Sequence, residues 1–238
     1  MEHYLSVAFL VQVLQIIAID ILLGGDNAVV IALACRKLPE SQRNKGIAYG
    51  VIGAIGLRVV MIFFALQLLA LPFLKIVGAL LLLWIGIKLL QPEDEGHDNV
   101  EGSTTLFGAI KTIVIADAVM SLDNVIAVAG AAKGDMGMVV FGILISIPII
   151  VWGSKFVLTL MDRFPVVITF GAGLLGWIAG GMFVTDEFLK GQLQDAPGWL
   201  HHVTALIGAV LVIGVGKALA ARGAGAEAAP LVDLVNKD

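Results

Sequence analysis

Long runs of apolar residues, separated by short polar segments, dominate this chain. A helix needs about 20 predominantly apolar residues to cross the hydrocarbon core of a bilayer, and seven runs are of this length. They are apolar on every face and lack the alternation of strands in a membrane barrel. The pattern therefore predicts an all-α membrane protein with seven transmembrane helices, at 5–34, 46–70, 73–91, 105–132, 137–160, 165–185 and 201–222.

The composition supports a membrane protein and excludes several other classes. The 238 residues are 59% hydrophobic and 14% charged, whereas soluble domains are about half apolar and about a quarter charged. The net charge of −4 gives no indication of nucleic-acid binding. A single cysteine, Cys35, rules out an internal disulfide and a cysteine-based metal cage. The first run is too long for a signal-peptide core and no basic region precedes it, so we expect it to be the first span.

The distribution of basic residues predicts the orientation. With the N-terminus outside, eight basic residues near the helix ends would face inward and three would face outward. Because positive residues favour the cytoplasmic side, we expect an outer N-terminus and a cytoplasmic C-terminus. The inner set is Arg36, Lys37, Arg43, Lys45, Lys88, Arg163, Lys217 and Arg222, and the outer set is Lys75, Lys133 and Lys190.

Two acidic motifs lie deep inside the apolar runs and repeat each other. Asp-Ile-Leu-Leu-Gly-Gly-Asp-Asn at 20–27 matches Asp-Ala-Val-Met-Ser-Leu-Asp-Asn at 117–124, an offset of 97 (117 − 20). Three spans per copy would place the copies in opposite orientations, as in many secondary transporters. We therefore predict a 3+3 inverted repeat plus a seventh helix. At an offset of 93 (165 − 72), the match continues from Pro72, Gly78 and Trp84 to Pro165, Gly171 and Trp177.

The repeat divides the chain into five parts. We predict a first three-helix repeat at 1–91 and a second, inverted one at 105–185. An acidic cytoplasmic linker at 92–104 joins them, and we interpret it as solvated. An outer loop and the seventh helix follow at 186–222, and a cytoplasmic tail at 223–238. Asp186, Glu187, His201 and His202 are interpreted as interfacial polar residues.

The motif residues carry oxygen ligands only. A charge at the bilayer centre costs about 2.5–3.5 kcal/mol or more, so charges kept there indicate function. Four carboxylates and two amides suit hard divalent cations such as Mg²⁺, Ca²⁺ or Mn²⁺. The Gly24-Gly25 pair is expected to break the first helix and turn its acids toward a cavity, whereas Ser121-Leu122 in the second copy predicts a weaker break. The candidate metal ligands are Asp20, Asp26, Asn27, Asp117, Asp123 and Asn124.

Three further residues extend this candidate site. Met120 lies one helical turn from Asp117 and could add a soft thioether that favours Mn²⁺, or it could simply pack in the bundle. Arg58 and Lys155 occupy similar places in the two repeats. They are candidate gating residues or charge partners of the acids. The alternative is that the acids are structural and form buried ion pairs with these two cations.

The two motif strings, extended to 20–32 and 117–129, resemble the TerC family. This is a bacterial integral membrane family named for tellurium resistance and similar to the LysE exporter superfamily. The resemblance implies a seven-span transporter in the bacterial cytoplasmic membrane that exports Mn²⁺, with the six motif residues as ligands. It also leaves a tellurium-related role open.

The predicted function is a cation exporter that works by alternating access. The sequence contains no Gly-x-x-x-x-Gly-Lys-Ser/Thr motif, so proton antiport is the expected energy source. We expect a divalent cation and the lipid bilayer as partners, and no nucleic acid. We expect no resident cofactor and no enzymatic activity. A homo-oligomer is left open. Three alternatives remain at this point: an exporter of small organic cations or amino acids, an intramembrane aspartyl protease, and a membrane scaffold for stress proteins.

Overall fold

The computed structural model of the protein describes most of the chain. The described residues are 14, 17, 25–64, 68, 71–91, 105–131, 136–190, 192–193 and 196–227, with side chains described there except at 123–136, 138–139, 190 and 223–227. The predicted linker at 92–104 therefore lies outside the described residues.

The described residues form eight helices and no strand, which confirms the all-α prediction. Seven of these helices lie within or overlap the seven predicted spans, one for each span. The eighth is a short helix, α7, between the last two. Four are long and apolar enough to cross a membrane: Glu40–Phe63, Val140–Arg163, Val166–Val184 and Trp199–Arg222. The count of seven spans and the 3+3+1 repeat stay predictions. The helices are α1 (Gly25–Cys35), α2 (Glu40–Phe63), α3 (Leu74–Leu90), α4 (Leu106–Ala131), α5 (Met136–Arg163), α6 (Val166–Val184), α7 (Glu187–Lys190) and α8 (Trp199–Glu227).

Several helices extend beyond the apolar runs that predicted them. α2 begins at Glu40, before the predicted start at 46, and α8 continues past 222 to Glu227. α4 runs without interruption from Leu106 to Ala131, so the second motif lies within one continuous helix. Polar residues at helix ends carry no hydropathy signal, although backbone hydrogen bonding continues through them.

Small residues bring the helices close together. The most extensive helix contact is between α6 and α8, where a Cβ added at Gly176 or Gly180 would collide with the backbone of α8. On the other side of the bundle, Gly50 of α2 lies against Ile113 of α4. Close approach at small residues is the usual means of packing helices in lipid, where the hydrophobic effect does not drive association.

The two motif-bearing helices are packed in matching ways. Gly78 of α3 lies against Val119 of α4, and Gly171 of α6 lies against Val29 and Leu33 of α1. The sequence repeat pairs these same two glycines. Each third helix of a proposed repeat therefore contacts the motif-bearing helix of the other.

Large apolar side chains also cover the outside of the bundle. Phe107 is 75% exposed, Trp152 is 71% exposed, and Phe170 is 69% exposed. Soluble monomers rarely expose large contiguous apolar patches, whereas lipid-facing helices are apolar outward. The surface and the apolar helices together fit a multi-pass integral membrane protein.

Candidate cation site

A buried ion pair between Arg58 and Asp117 forms the centre of the site. Arg58 lies on α2 and Asp117 on α4. Arg58 Nη2 donates to Asp117 Oδ1 at 2.5 Å, and the two residues are 3% and 6% exposed. The pair links the half of the chain that carries the first motif to the helix that carries the second.

Ser121 completes this arrangement. It lies one helical turn after Asp117, so the two side chains share a face of α4. Arg58 Nε donates to Ser121 Oγ at 3.0 Å, and Ser121 Oγ donates to Asp117 Oδ2 at 3.3 Å. Ser121 is fully buried. The guanidinium is therefore held by two donor atoms in a fixed orientation, which lysine could not reproduce.

Asp26 brings the first motif to the same region. It is half-buried at the start of α1, and its Oδ1 accepts the backbone N–H of Asn27 at 2.9 Å. The Asp26 carboxylate is repelled by Asp117 and attracted by Arg58, which places it within electrostatic range of both. The structure thus brings together one acid from each motif and one cation.

The side chain of Asn27 is the least satisfied group in this region. Asn27 is 3% exposed, and within the described part of the chain neither its Oδ1 nor its Nδ2 has a hydrogen-bond partner. A buried amide without a partner costs about 1–3 kcal/mol. The unpaired amide makes Asn27 a candidate ligand residue of this site.

The remaining predicted site residues divide into three groups. Asp20 lies outside the described residues, and Asp123 and Asn124 belong to α4 but their side chains lie outside the described ones. Met120 is buried, with 5% of its surface exposed. Lys155, which the repeat pairs with Arg58, occupies an exposed position on α5.

The described acids do not by themselves make a metal site. Among the described side chains, no group of three or more His, Cys, Asp or Glu residues is close enough to hold one ion. Asp26 and Asp117 are the two motif carboxylates described here. Together with Asn27, they supply oxygen donors of the type that hard cations prefer.

Ser121 was not among the predicted site residues. In the sequence it appeared only as the residue that replaces a glycine of the first motif. Its spacing of four from Asp117 was an available signal, because residues four apart in a helix lie side by side. Its contact with Arg58, 63 positions away, could not be read from any local pattern.

The fold and this buried polar site define a multi-pass helical membrane protein with ionisable residues in its interior. Residues 5–224 match the Integral membrane protein TerC family, and the chain belongs to that family.

Three similar proteins are each named as membrane proteins. The uncharacterized membrane protein YjbE of Bacillus subtilis (strain 168) is 45% identical over 191 residues, 80% of this chain and 85% of YjbE. The uncharacterized membrane protein YceF of the same strain is 30% identical, covering 69% of this chain and 67% of YceF. The inner membrane protein YgdQ of Escherichia coli (strain K12) is 25% identical over 166 residues, which cover 62% of this chain and 69% of YgdQ. No solved structure matches the chain.

Proposed function

We propose that this protein is a transporter that exports a divalent cation, Mn²⁺ in the first place, from the cytoplasm by alternating access. The observation that carries the proposal is the buried ion pair between Arg58 and Asp117 of the second motif, with Asp26 of the first motif near enough to feel both charges. Ionisable residues inside a membrane bundle mark ion pathways. A site in which Asp117 already neutralises one cation has the chemistry to bind another.

The choice of a hard divalent cation follows from the donors. Carboxylate and amide oxygens suit Mg²⁺, Ca²⁺ and Mn²⁺, and Asn27 offers a buried amide whose hydrogen bonds are unmade in the described structure. Mn²⁺ is placed first among these ions because the motifs resemble those of a family of manganese exporters. Met120 is buried and lies three positions after Asp117 in the sequence. It would add a softer ligand if its side chain turned toward the site.

The packing supports alternation between two inverted halves. Gly78 and Gly171, paired by the repeat, each lie against the motif-bearing helix of the opposite half. In transporters built from inverted repeats, rocking of one half against the other exposes a midplane site to each side in turn. Proton antiport would drive export, in an inner bacterial membrane with the N-terminus outside. The relative YgdQ of Escherichia coli is named an inner membrane protein, which supports the choice of membrane.

Transport in proteoliposomes tests the proposal. Asp26→Asn and Asp117→Asn should each abolish Mn²⁺ flux, because each removes a charge that the cargo needs. The matched control is Asp162→Asn, which changes an exposed carboxylate at the end of α5 and should leave the flux unchanged. Wild-type protein that moves no Mn²⁺, Mg²⁺ or Ca²⁺, or motif variants that transport normally, would overturn the proposal.

Coupling to protons is tested separately. An imposed pH gradient should accelerate Mn²⁺ movement against the direction of proton flow. Reversing the gradient should reverse the effect. Flux that ignores the gradient would remove proton antiport from the proposal and leave cation transport in place.

A second candidate cargo is a small organic cation. The observation that favours it is that Asp117 and Ser121 already hold a guanidinium, that of Arg58. Free arginine that competes with Mn²⁺ for transport into inverted vesicles, and is itself transported, would select this candidate. Lack of competition at high arginine concentration would exclude it.

A further inference from the structure

We infer that Arg58 is a built-in competitor of the transported cation, which lowers the apparent affinity of the site and sets the cation concentration at which export begins. This inference rests on the proposed function, since it assigns a regulation to the same site. Its chemistry is the exchange of one cation, tethered to α2, for a free one.

The geometry places the guanidinium where a cargo would need to bind. Arg58 donates to both Asp117 and Ser121, and Ser121 donates to the second carboxylate oxygen of Asp117. Both Asp117 oxygens are thus engaged. A metal ion can coordinate this carboxylate in full only after the guanidinium has moved away.

The energetics allow such an exchange. Attraction between two buried charges is largely offset by the loss of their hydration, so a buried ion pair adds little net stability. Breaking it is costly when either charge is left buried and unpaired, so the exchange requires a new cation for the acid and water or another acceptor for the guanidinium. An incoming divalent ion replaces the lost charge, so the acid remains neutralised throughout.

The consequence is a reduced apparent affinity. When only a fraction of the protein is competent to bind, the apparent dissociation constant rises in inverse proportion to that fraction. A weak site suits an exporter, since it stays empty at ordinary cytoplasmic concentrations and releases its cargo on the outside. Arg58 would lower the apparent affinity for the cation while every ligand residue stays in place.

The repeat provides a natural control. Lys155, the counterpart of Arg58, is exposed on α5 in the same structure, whereas Arg58 is 3% exposed. Competition with the cargo is therefore expected from Arg58 and not from Lys155 in this conformation. The two positions can be changed in the same way and compared.

Mn²⁺ binding to the full chain in detergent tests the inference. Binding is followed by loss of the electron paramagnetic resonance signal of free Mn²⁺. Arg58→Gln should bind Mn²⁺ more tightly than wild type, by about 5- to 150-fold, the range of typical coupling between two sites. Arg58→Lys keeps the charge but loses the second hydrogen bond, so it should show a smaller gain. Lys155→Gln should bind like wild type.

Each outcome decides between the alternatives. Wild type that binds Mn²⁺ while Arg58→Gln binds equally or more weakly overturns the inference and leaves cation transport standing. If neither protein binds Mn²⁺, Mg²⁺ or Ca²⁺, the proposed function fails with it. If Arg58→Gln does not fold, as judged by thermal unfolding, Arg58→Lys decides: tighter binding supports competition, and unchanged or weaker binding overturns it.

Discussion

The carboxylate of Asp186 caps the start of a helix that lies more than a hundred positions earlier in the chain. Asp186 Oδ1 accepts the backbone N–H of Phe73 at 3.0 Å, and Oδ2 accepts that of Lys75 at 2.9 Å. Phe73 has a left-handed backbone conformation, with φ of 66°. The centroid of its ring lies 4.3 Å from the ring centroid of Phe188. The start of α3 and the link after α6 are therefore joined at one buried acid.

We expect Asp186→Ala to destabilise the protein strongly. The variant would leave the N–H groups of Phe73, Lys75, Ile76 and Phe188 without their present acceptor. A buried donor left unpaired costs about 1–3 kcal/mol, and each of these partly buried donors should cost up to that amount. Thermal unfolding in detergent should show a large fall in Tm, while the neighbouring Glu187→Ala should show a much smaller one. Equal effects of the two variants would contradict a capping role.

The same acid should make stability depend on pH. Burial raises the pKa of the Asp186 carboxyl, but the backbone hydrogen bonds from Phe188, Phe73, Ile76 and Lys75 outweigh it and leave the pKa below its ordinary value of 3.8. A carboxyl whose pKa is lower in the folded state stabilises the protein fully above its unfolded pKa. That stabilisation is lost as the pH falls through 3.8 toward the lower folded pKa.

The measurement is a comparison of wild type with Asp186→Asn across this range. Wild type should be more stable near neutral pH, and the difference in Tm should shrink as the pH drops below about 4. A difference that is constant from pH 7 to pH 3 would show that the charge of Asp186 does not contribute.

The sequence predicted the helices well and the contacts between them poorly. Apolar runs indicate which segments span, so every predicted span contains a described helix or part of one. From the sequence, Arg58 is a candidate gating residue or charge partner of the motif acids. That Asp117 is its described partner depends on how α2 packs on α4. The role of Asp186 was missed, since its bond to Phe73 joins residues 113 positions apart.

The close approach of α6 and α8 depends on glycine at particular positions. A Cβ at Gly208 would collide with the carbonyl oxygen of Gly176, so Gly208→Ala should force the helices apart at a cost of about 1–3 kcal/mol. Gly214→Ala is the matched control on the same helix, because nothing lies within 4 Å of its added Cβ. Thermal unfolding should show a lower Tm for the first variant and an unchanged or slightly higher Tm for the second. The reverse order would contradict the packing described.

Arg43 holds the turn between α1 and α2 through three separate bonds. Its Nε donates to the carbonyl of Leu38, its Nη2 to the carbonyl of Arg36, and its Nη1 to Asp162 of α5. Arg43→Lys should destabilise the protein by about 1–3 kcal/mol, since one ammonium cannot reach all three acceptors.

The two ends of this ion pair should contribute unequally. The Asp162 side chain is 51% exposed, so Asp162→Asn should cost no more than about 1 kcal/mol. Protease sensitivity of the turn, together with Tm, would measure both variants. If Asp162→Asn were as harmful as Arg43→Lys, the ion pair rather than the carbonyl contacts would hold the turn.

Asn27 should reveal a conflict between stability and function. Its buried amide has no hydrogen-bond partner among the described residues, so Asn27→Leu removes an unpaired polar group and should leave Tm unchanged or raise it. The same variant removes a proposed ligand. Loss of an outer-shell partner of a metal costs about 10–100-fold in affinity, so Mn²⁺ binding should weaken by at least about tenfold.

The contrast with another buried polar residue isolates this effect. Ser154 on α5 is also buried, but its hydroxyl donates to the carbonyl of Ile150 in its own helix. Ser154→Ala should therefore leave Mn²⁺ binding unchanged, although it too removes a polar group from the interior. A stable Asn27→Leu variant that binds Mn²⁺ like wild type would show that the unpaired amide is not a ligand.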